Sequence, residues 1–534
     1  MQRVIRSLGF APAIVVLLTA LQAQSQILPL GFRFDGIRTK NGSDTRPLSN
    51  SAIDIRTRSD TIWVGGGKGI DLSPDGGFTW RHIGSEEPFE HEDVAAFNGC
   101  GPVLWASLAG SERLKDGTEI PKGLGLAVST DNGKTWSRIE QPRENENDST
   151  FLIEYGINKI KGLAITTTYN NITYDIAVTS SSVWIASFAG GLRRSTDGGR
   201  TFHPIVLPSD EKDSIRDTDT LDFALSPVDR PDFWNSAGTV LGMRGSLNHR
   251  VFSVLATGDS TVWVGTAGGI NRTTDNGRSW RKFTFSNQSQ PISGNFVVAL
   301  GRNVIGGIEH IWASTINALD PHEFRAVSVT SDNGETWRTA LRGEFTHNFG
   351  FKDSIVYAAT NSGIFRSADG GRTWTLHSVF VDPLNRNRSI DPRCYAVAAA
   401  GDTIWISNVD GLLKTVDCSG HFFGAGWTML RAARPLSSGS SAYAYPNPFI
   451  PVSDVCRIRY RTASSGKATI EVFDYALFPV RTVIRNAPRP PNLEQDEIWD
   501  GTDDAGKRVA NGLYYIRIQT GEGEDVWTKV VVLQ

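Results

Sequence analysis

The side chains best suited to chemistry in this sequence are carboxylates, and they gather in a few stretches. Glu86, Glu87, Glu90, Glu92 and Asp93 form one group, Glu144, Glu146 and Asp148 a second, and Asp210, Glu211, Asp213, Asp217, Asp219 and Asp222 a third. Two facing carboxylates roughly 6.5 to 9.5 Å apart perform inverting glycoside hydrolysis, and oxygen-rich loops hold Ca²⁺. No spacing singles out a catalytic pair, so the catalytic residues stay unassigned. No EF-hand loop or glycine-aspartate nonapeptide is present, which leaves Ca²⁺ as a candidate on composition alone, with no other cofactor expected. HExxH, GxSxG and P-loop motifs are absent, and His82, His91, His203 and His322 show no ligand spacing. Asp210, Asp213 and Asp217 are the candidate ligand contacts, together with Trp234, a loop indole that either stacks on sugar or pins its own loop.

A second set of aspartates recurs along the chain. SPDGGFTW (73–80), STDNGKTW (129–136), STDGGRTF (195–202), TTDNGRSW (273–280), TSDNGETW (330–337) and SADGGRTW (367–374) are near-copies of one another, and a degenerate seventh copy begins at Thr415-Val416-Asp417. In each box the aspartate and hydroxyl can bond the amides of a turn, glycine supplies the φ > 0 position, and the aromatic packs into its own unit. Asp75, Asp131, Asp197, Asp275, Asp332, Asp369 and Asp417 are therefore read as structural staples. Before each box lies a β-branched and aromatic run, around Trp63, Trp105, Trp184, Trp263, Trp312, Tyr357 and Trp405, with the composition of a buried strand. Seven runs matched to seven boxes predict seven units, each a four-stranded meander, as in AIDIRTRSD, TIWVGG, GIDLS and FTWRHI. One such sheet cannot bury both faces, so the expected architecture is all-β, a seven-bladed β-propeller over 28–432. The segment 31–38 is available as a strand that closes the ring.

These boxes resemble the Asp-box, or BNR, repeats of sialidases, sortilin-type receptors, oligoxyloglucan hydrolases and the photosystem II assembly factor. The resemblance covers roughly 60–430 and implies a propeller in which the box is a peripheral turn. A sialidase would also announce its first arginine in an F/Y-R-I-P motif. Phe32-Arg33-Phe34-Asp35 lacks the isoleucine and the proline.

In a meander, loops alternate between the two ends of the ring. The long segments 107–123 and 315–325 follow second strands, and 84–93, 141–170 and 208–248 connect units. All are expected to crowd the end opposite the boxes, where functional loops on a rigid scaffold gather. The expected function is binding of an extracellular glycan or protein there; the alternative is a glycoside hydrolase, sialidase-like or polysaccharide-cleaving.

The ends of the chain carry addresses. Arg3 and Arg6 precede an apolar run to Leu21 and a small-residue cleavage site, which reads as a signal peptide over 1–23 and a secreted or cell-surface product. No later run is long enough for a transmembrane helix. Lys and Arg (54) nearly balance Asp and Glu (57), which argues against a nucleic-acid partner. Of the four cysteines, Cys394 and Cys418 fall in one unit and could bridge, but Cys100 and Cys456 leave three pairings open. After a Ser/Gly-rich linker at 433–441, six or seven alternating runs over 442–534 predict a small β-sandwich. YPNPF and WDGTDDAGKRVANGLYYIRI resemble the Ig-like domain of flagellar hook-capping proteins and the C-terminal modules that direct export through the type IX secretion system. That resemblance implies contact with secretion machinery, with Trp499, Gly501, Asp503, Gly506, Gly512 and Tyr514 on the pattern.

Overall fold

The computed structural model describes residues 52–533 apart from 116, 231–242, 382–388, 390, 421, 431–441, 452–454, 463–465, 490–493 and 521–524. The leader, the segment 31–38, the linker 433–441 and Trp234 lie outside the described residues. The chain divides into two compact units, held for the most part by 40–432 and by 433–534. Among the described residues both are all-β, with one 3-10 turn, Leu247–His249, as the only helix.

The first unit contains seven antiparallel sheets of four consecutive strands, over 52–83, 93–139, 173–204, 251–283, 296–340, 346–377 and 394–430. The aromatic runs are the second strands, and Trp105, Trp184, Trp263, Trp312, Tyr357 and Trp405 are almost wholly buried. Each first strand carries a bulge at the equivalent place, at Ile53, Ala95, Tyr174, Phe252, Val298, His347 and Tyr395. A bulge adds twist and re-aims one side chain. First strands of successive sheets lie against one another, and the strand Cys394–Ala400 also lies against Ala52–Arg58. There the Thr57 hydroxyl donates to the Ala399 carbonyl at 2.6 Å.

The boxes bind sheet to sheet, which corrects the expectation that the box aromatic packs into its own unit. Trp80 meets Trp405 edge-on at 5.9 Å, Phe202 meets Trp105 at 6.2 Å, Trp337 meets Trp263 at 6.2 Å and Trp374 meets Trp312 at 6.1 Å. In every case the partner is the second-strand indole of the preceding sheet, and for the first sheet the predecessor is the seventh. Cations complete the clasp: Arg194, Arg272 and Lys414 lie over Trp184, Trp263 and Trp405, and Arg194 donates to the carbonyl of Asn276 in the next box. An indole face, an aromatic edge and a guanidinium attract one another through the ring quadrupole.

The second unit has a three-stranded sheet built from Ala442–Tyr445, Cys456–Arg461 and Glu494–Trp499. Facing it is a four-stranded sheet built from Gly466–Phe473, Pro479–Arg489, Gly512–Thr520 and Val526–Val532. Alternation places Ile458, Tyr460, Ile470, Val472, Ile516 and Val530 in one core. Trp499 packs against Phe449 and Tyr514, each at 5.4 Å. Its indole N–H donates to the Thr502 carbonyl, while Asp503 accepts the amides of Ala505 and Lys507 to make the turn.

Candidate functional site

The box aspartates are occupied by their own turns. In the first box the Ser73 hydroxyl accepts the Gly77 amide at 2.8 Å and donates to Asp75, whose carboxylate takes the Thr79 amide at 2.8 Å and the Thr79 hydroxyl at 2.6 Å. Asp131, Asp197, Asp275, Asp332 and Asp369 receive the equivalent hydroxyl at the same distance. The threonine hydroxyl, followed by its amide, holds the Asp131, Asp197 and Asp369 carboxyls below the usual range. Asp417 departs from this pattern. The insertion 418–426 separates Asp417 from Trp427 and puts Gly426 where the other boxes carry the closing hydroxyl, and the Asp417 carboxylate instead pairs with Arg366 at 2.6 Å and accepts the Tyr357 hydroxyl. The one second strand with tyrosine in place of tryptophan therefore serves the one degenerate box, a signal present in SIVYA and missed in the sequence.

At the end opposite the boxes, the beginnings of the first strands and the second-to-third loops meet in an apolar plug. Ile172, Tyr174, Phe188, Phe252, Phe296 and Phe345 form it, with Ala95, Ala109 and Ala267 filling between them. Phe252 stands 4.5 Å from Phe296 and 5.7 Å from Tyr174. Arg250 lies over Phe188 and Arg325 over Phe345, each at 5.5 Å. Beside the plug the His347 ring packs on Phe345 at 4.7 Å and on Tyr395 at 5.0 Å, and its Nε2 lies 2.7 Å from Asn361 Oδ1. His347 sits deep among protein atoms although part of its surface stays open to solvent. Desolvation lowers its pKa to about 4, so the imidazole is neutral at physiological pH.

Below the plug, Asp54 and Asp175 occupy equivalent places one residue past their bulges. Asp175 accepts the amides of Ile176 at 2.8 Å and of Val254 in the next sheet at 2.9 Å. Asp54 likewise takes Ile55 and, in the next sheet, Phe97. Burial pushes the Asp175 carboxyl up to about 7 and raises Asp54 as well. Each carboxylate is spent joining two first strands.

The acidic insertions do not all gather at that end. Ser214–Arg216 runs along the outer strand Ser279–Phe283 as a fifth strand. The hairpin of Thr150–Tyr155 and Asn158–Leu163 lies outside it, with the Tyr155 hydroxyl donating to the Arg278 carbonyl. Asp217 is therefore at the box end, 3.0 Å from Arg278 Nε, and not among the mouth loops. The reason is apolar: Tyr155, Ile160, Ile215 and Leu225 share one core with Trp184, Val262 and Trp280. Asp210 accepts the Ser246 hydroxyl and the amides of Leu247 and Asn248, thereby fixing the 3-10 turn, and Asp213 accepts the Asn287 side chain at 2.9 Å. Glu144 pairs with Arg193 at 2.6 Å and Glu92 with Arg138 at 2.9 Å. Asp93 takes the Lys68 amide, and desolvation pushes its carboxyl up to about 7. Among the described residues no three His, Cys, Asp or Glu side chains gather as metal ligands, and none of their helices is long and apolar enough to cross a membrane. Cys100 is an exposed free thiol and Cys394 a buried one. Cys394 opens a first strand and Cys418 follows a third strand, which puts them at opposite ends of one sheet, too far apart to bridge.

The family model described as BNR/Asp-box repeat matches residues 127–138. No curated protein matches the chain. Among solved structures, the chain is similar to PorZ, a surface component of the type IX secretion system of Porphyromonas gingivalis, at 13% identity over 89% of this chain, with a TM-score of 0.35. It spans 64% of the PorZ chain. YCF48 from Cyanidioschyzon merolae is 16% identical over 69% of this chain and 97% of its own, with a TM-score of 0.39. The extracellular domain of the hybrid two-component system BT3049 from B. thetaiotaomicron is 10% identical over 89% and 77%, with a TM-score of 0.26. The chain is accordingly an all-β, propeller-like protein that carries the Asp-box repeat.

Proposed function

We propose that this chain is a secreted or cell-surface binding protein: a closed seven-bladed propeller that presents its box-free end to a glycan or protein, followed by an Ig-like module. The apolar plug carries this reading. A hydrolase needs a cleft with free acid and base groups, whereas here the axial end is filled by aromatic rings and the nearby carboxylates Asp54 and Asp175 are tied to backbone amides. What remains is a broad face displaying Leu319, His322 and the Arg342 guanidinium stacked on Phe324 at 3.8 Å. Closure is favoured by the contacts of the seventh sheet with the first. The leader favours export, and the tail residues Trp499, Asp503 and Tyr514 favour the sorting or attachment role. Removal of 441–534 should then leave the protein in the periplasm.

The test pairs a glycan array with a chromogenic glycoside panel on the full secreted chain. Binding without turnover is expected, weakened at least tenfold by Leu319→Lys with Arg342→Glu at unchanged melting temperature. Turnover of any glycoside, abolished by a single Asp→Asn or Glu→Gln change, would overturn the reading.

A further inference from the structure

Two arginines on the box-free face have aromatic partners and no acidic ones. Phe324-Arg325 leads into the strand Ala326–Thr330, and Arg342-Gly343-Glu344-Phe345 leads into Thr346–Lys352. The Gly343 amide donates to the Arg325 carbonyl at 2.8 Å, which ties the two segments together. The stacking is reciprocal: the Arg342 guanidinium lies 3.8 Å from the Phe324 ring centroid and the Arg325 guanidinium 5.5 Å from that of Phe345. Among the described residues neither guanidinium forms an ion pair, even with the adjacent Glu344, and Arg325 Nε is buried with no hydrogen-bond partner. The other acids nearby are engaged elsewhere. Glu323 accepts the amides of Asn295 and Ala318 and the Asn295 side chain, Asp320 accepts the His322 amide, and Asp391 pairs with Arg393.

Stacking on a ring fixes the plane of an arginine and leaves the edge of its fork open to an anion. Across the Phe345 ring from this pair stands His347, with its own ring 4.7 Å away. Its Nε2 is committed to Asn361 Oδ1 at 2.7 Å, so the neutral imidazole keeps Nδ1 as an acceptor, while the exposed Asn361 keeps its NH2 as a donor. Sugar hydroxyls both give and take hydrogen bonds. An acceptor and a donor beside unpaired cations therefore favour a charged sugar over an acidic peptide.

We infer that this corner of the box-free face binds an anionic sugar of a polysaccharide, with its carboxylate or sulfate on Arg325 and Arg342 and its hydroxyls on His347 and Asn361. This rests on the binding reading and names the ligand class of that face.

The probes are an oligogalacturonate and a sulfated galactan oligomer, each beside its neutral form, the methyl ester or the desulfated chain, titrated into the full secreted chain. At least one charged probe should bind, and the one that does identifies the anion. Its affinity should fall about tenfold in the neutral form, and about tenfold in Arg325→Gln or Arg342→Gln, the loss expected for one hydrogen bond to a charged group. Asn361→Ala should weaken the charged probe while leaving its salt dependence unchanged, because it removes a hydroxyl contact and no charge. Melting temperatures separate these losses from misfolding, and the exposed Arg342 carries the test if Arg325→Gln does not fold. The inference is overturned if neither charged probe binds, if the neutral forms bind as well, if both glutamine variants keep full affinity, or if polyglutamate binds more tightly than either oligosaccharide. A neutral glycan held at this face equally well by both glutamine variants would remove the anionic ligand and leave the broader binding role standing.

Discussion

Gly199→Ala is expected to destabilise the first unit by about 2 to 5 kcal/mol, whereas Gly198→Asn, one residue earlier in the same box, is expected to be nearly neutral. Gly199 has φ +89, and a Cβ there would lie 2.3 Å from Cη2 of Trp105 in the preceding sheet. Left-handed backbone costs a non-glycine residue about 1 to 2 kcal/mol, and overpacking against a fixed ring costs about 1 to 3 more. Gly198 is also left-handed, at φ +74, but nothing stands within 4 Å of its Cβ position. Asn132, Asn276 and Asn333 already occupy that place in other boxes at φ near +60. Urea unfolding of the two variants separates backbone strain from the clasp. Equal losses at both positions would mean that the box merely makes a turn.

Trp405→Ala is expected to cost about 3 to 5 kcal/mol, as large as Trp184→Ala. The two indoles lie on the same strand of their sheets, but Trp405 faces the first sheet, so its loss matters fully only if the seventh sheet has a neighbour there. Gly77 sits against the Trp405 ring, Trp80 meets it edge-on, and Lys414 lies over it at 5.3 Å. In an open array the same indole would be half-exposed and its removal cheap. Thermal unfolding of the two variants under identical conditions reads the difference.

How much was legible depends on distance along the chain. The strands and boxes declare themselves locally, because a β-branched run around a tryptophan and an Asp-x-Gly turn are each set by neighbours a few residues away. The clasps are not local: Phe202 and Trp105 are far apart in sequence, and nothing in either segment names its partner. The insertions misled for a related reason. Their acids suggest solvated mouth loops, but Ile160, Ile215 and Leu225, sparse among them, decide the path by burying the flank of the fourth sheet. The candidate contacts fared accordingly: Asp210 braces a turn, Asp213 holds Asn287, Asp217 belongs to the box end, and Trp234 lies outside the described residues. The aromatic plug could not be foreseen, since Tyr174, Phe252 and Phe345 come from separate sheets, and bulges aim the first two of them into it.

The claim on which the rest depends is that the seventh sheet closes on the first. Phe78 replaces the charged residue found at that place in other boxes, is exposed, and has its ring 5.6 Å from Lys414 Nζ. With a benzoylphenylalanine photo-crosslinker in place of Phe78 in the full chain, irradiation and peptide mapping should give an intramolecular product joining the first box to Gly411–Val416. Crosslinks confined to residues 52–83, or formed only between molecules, would contradict a closed ring.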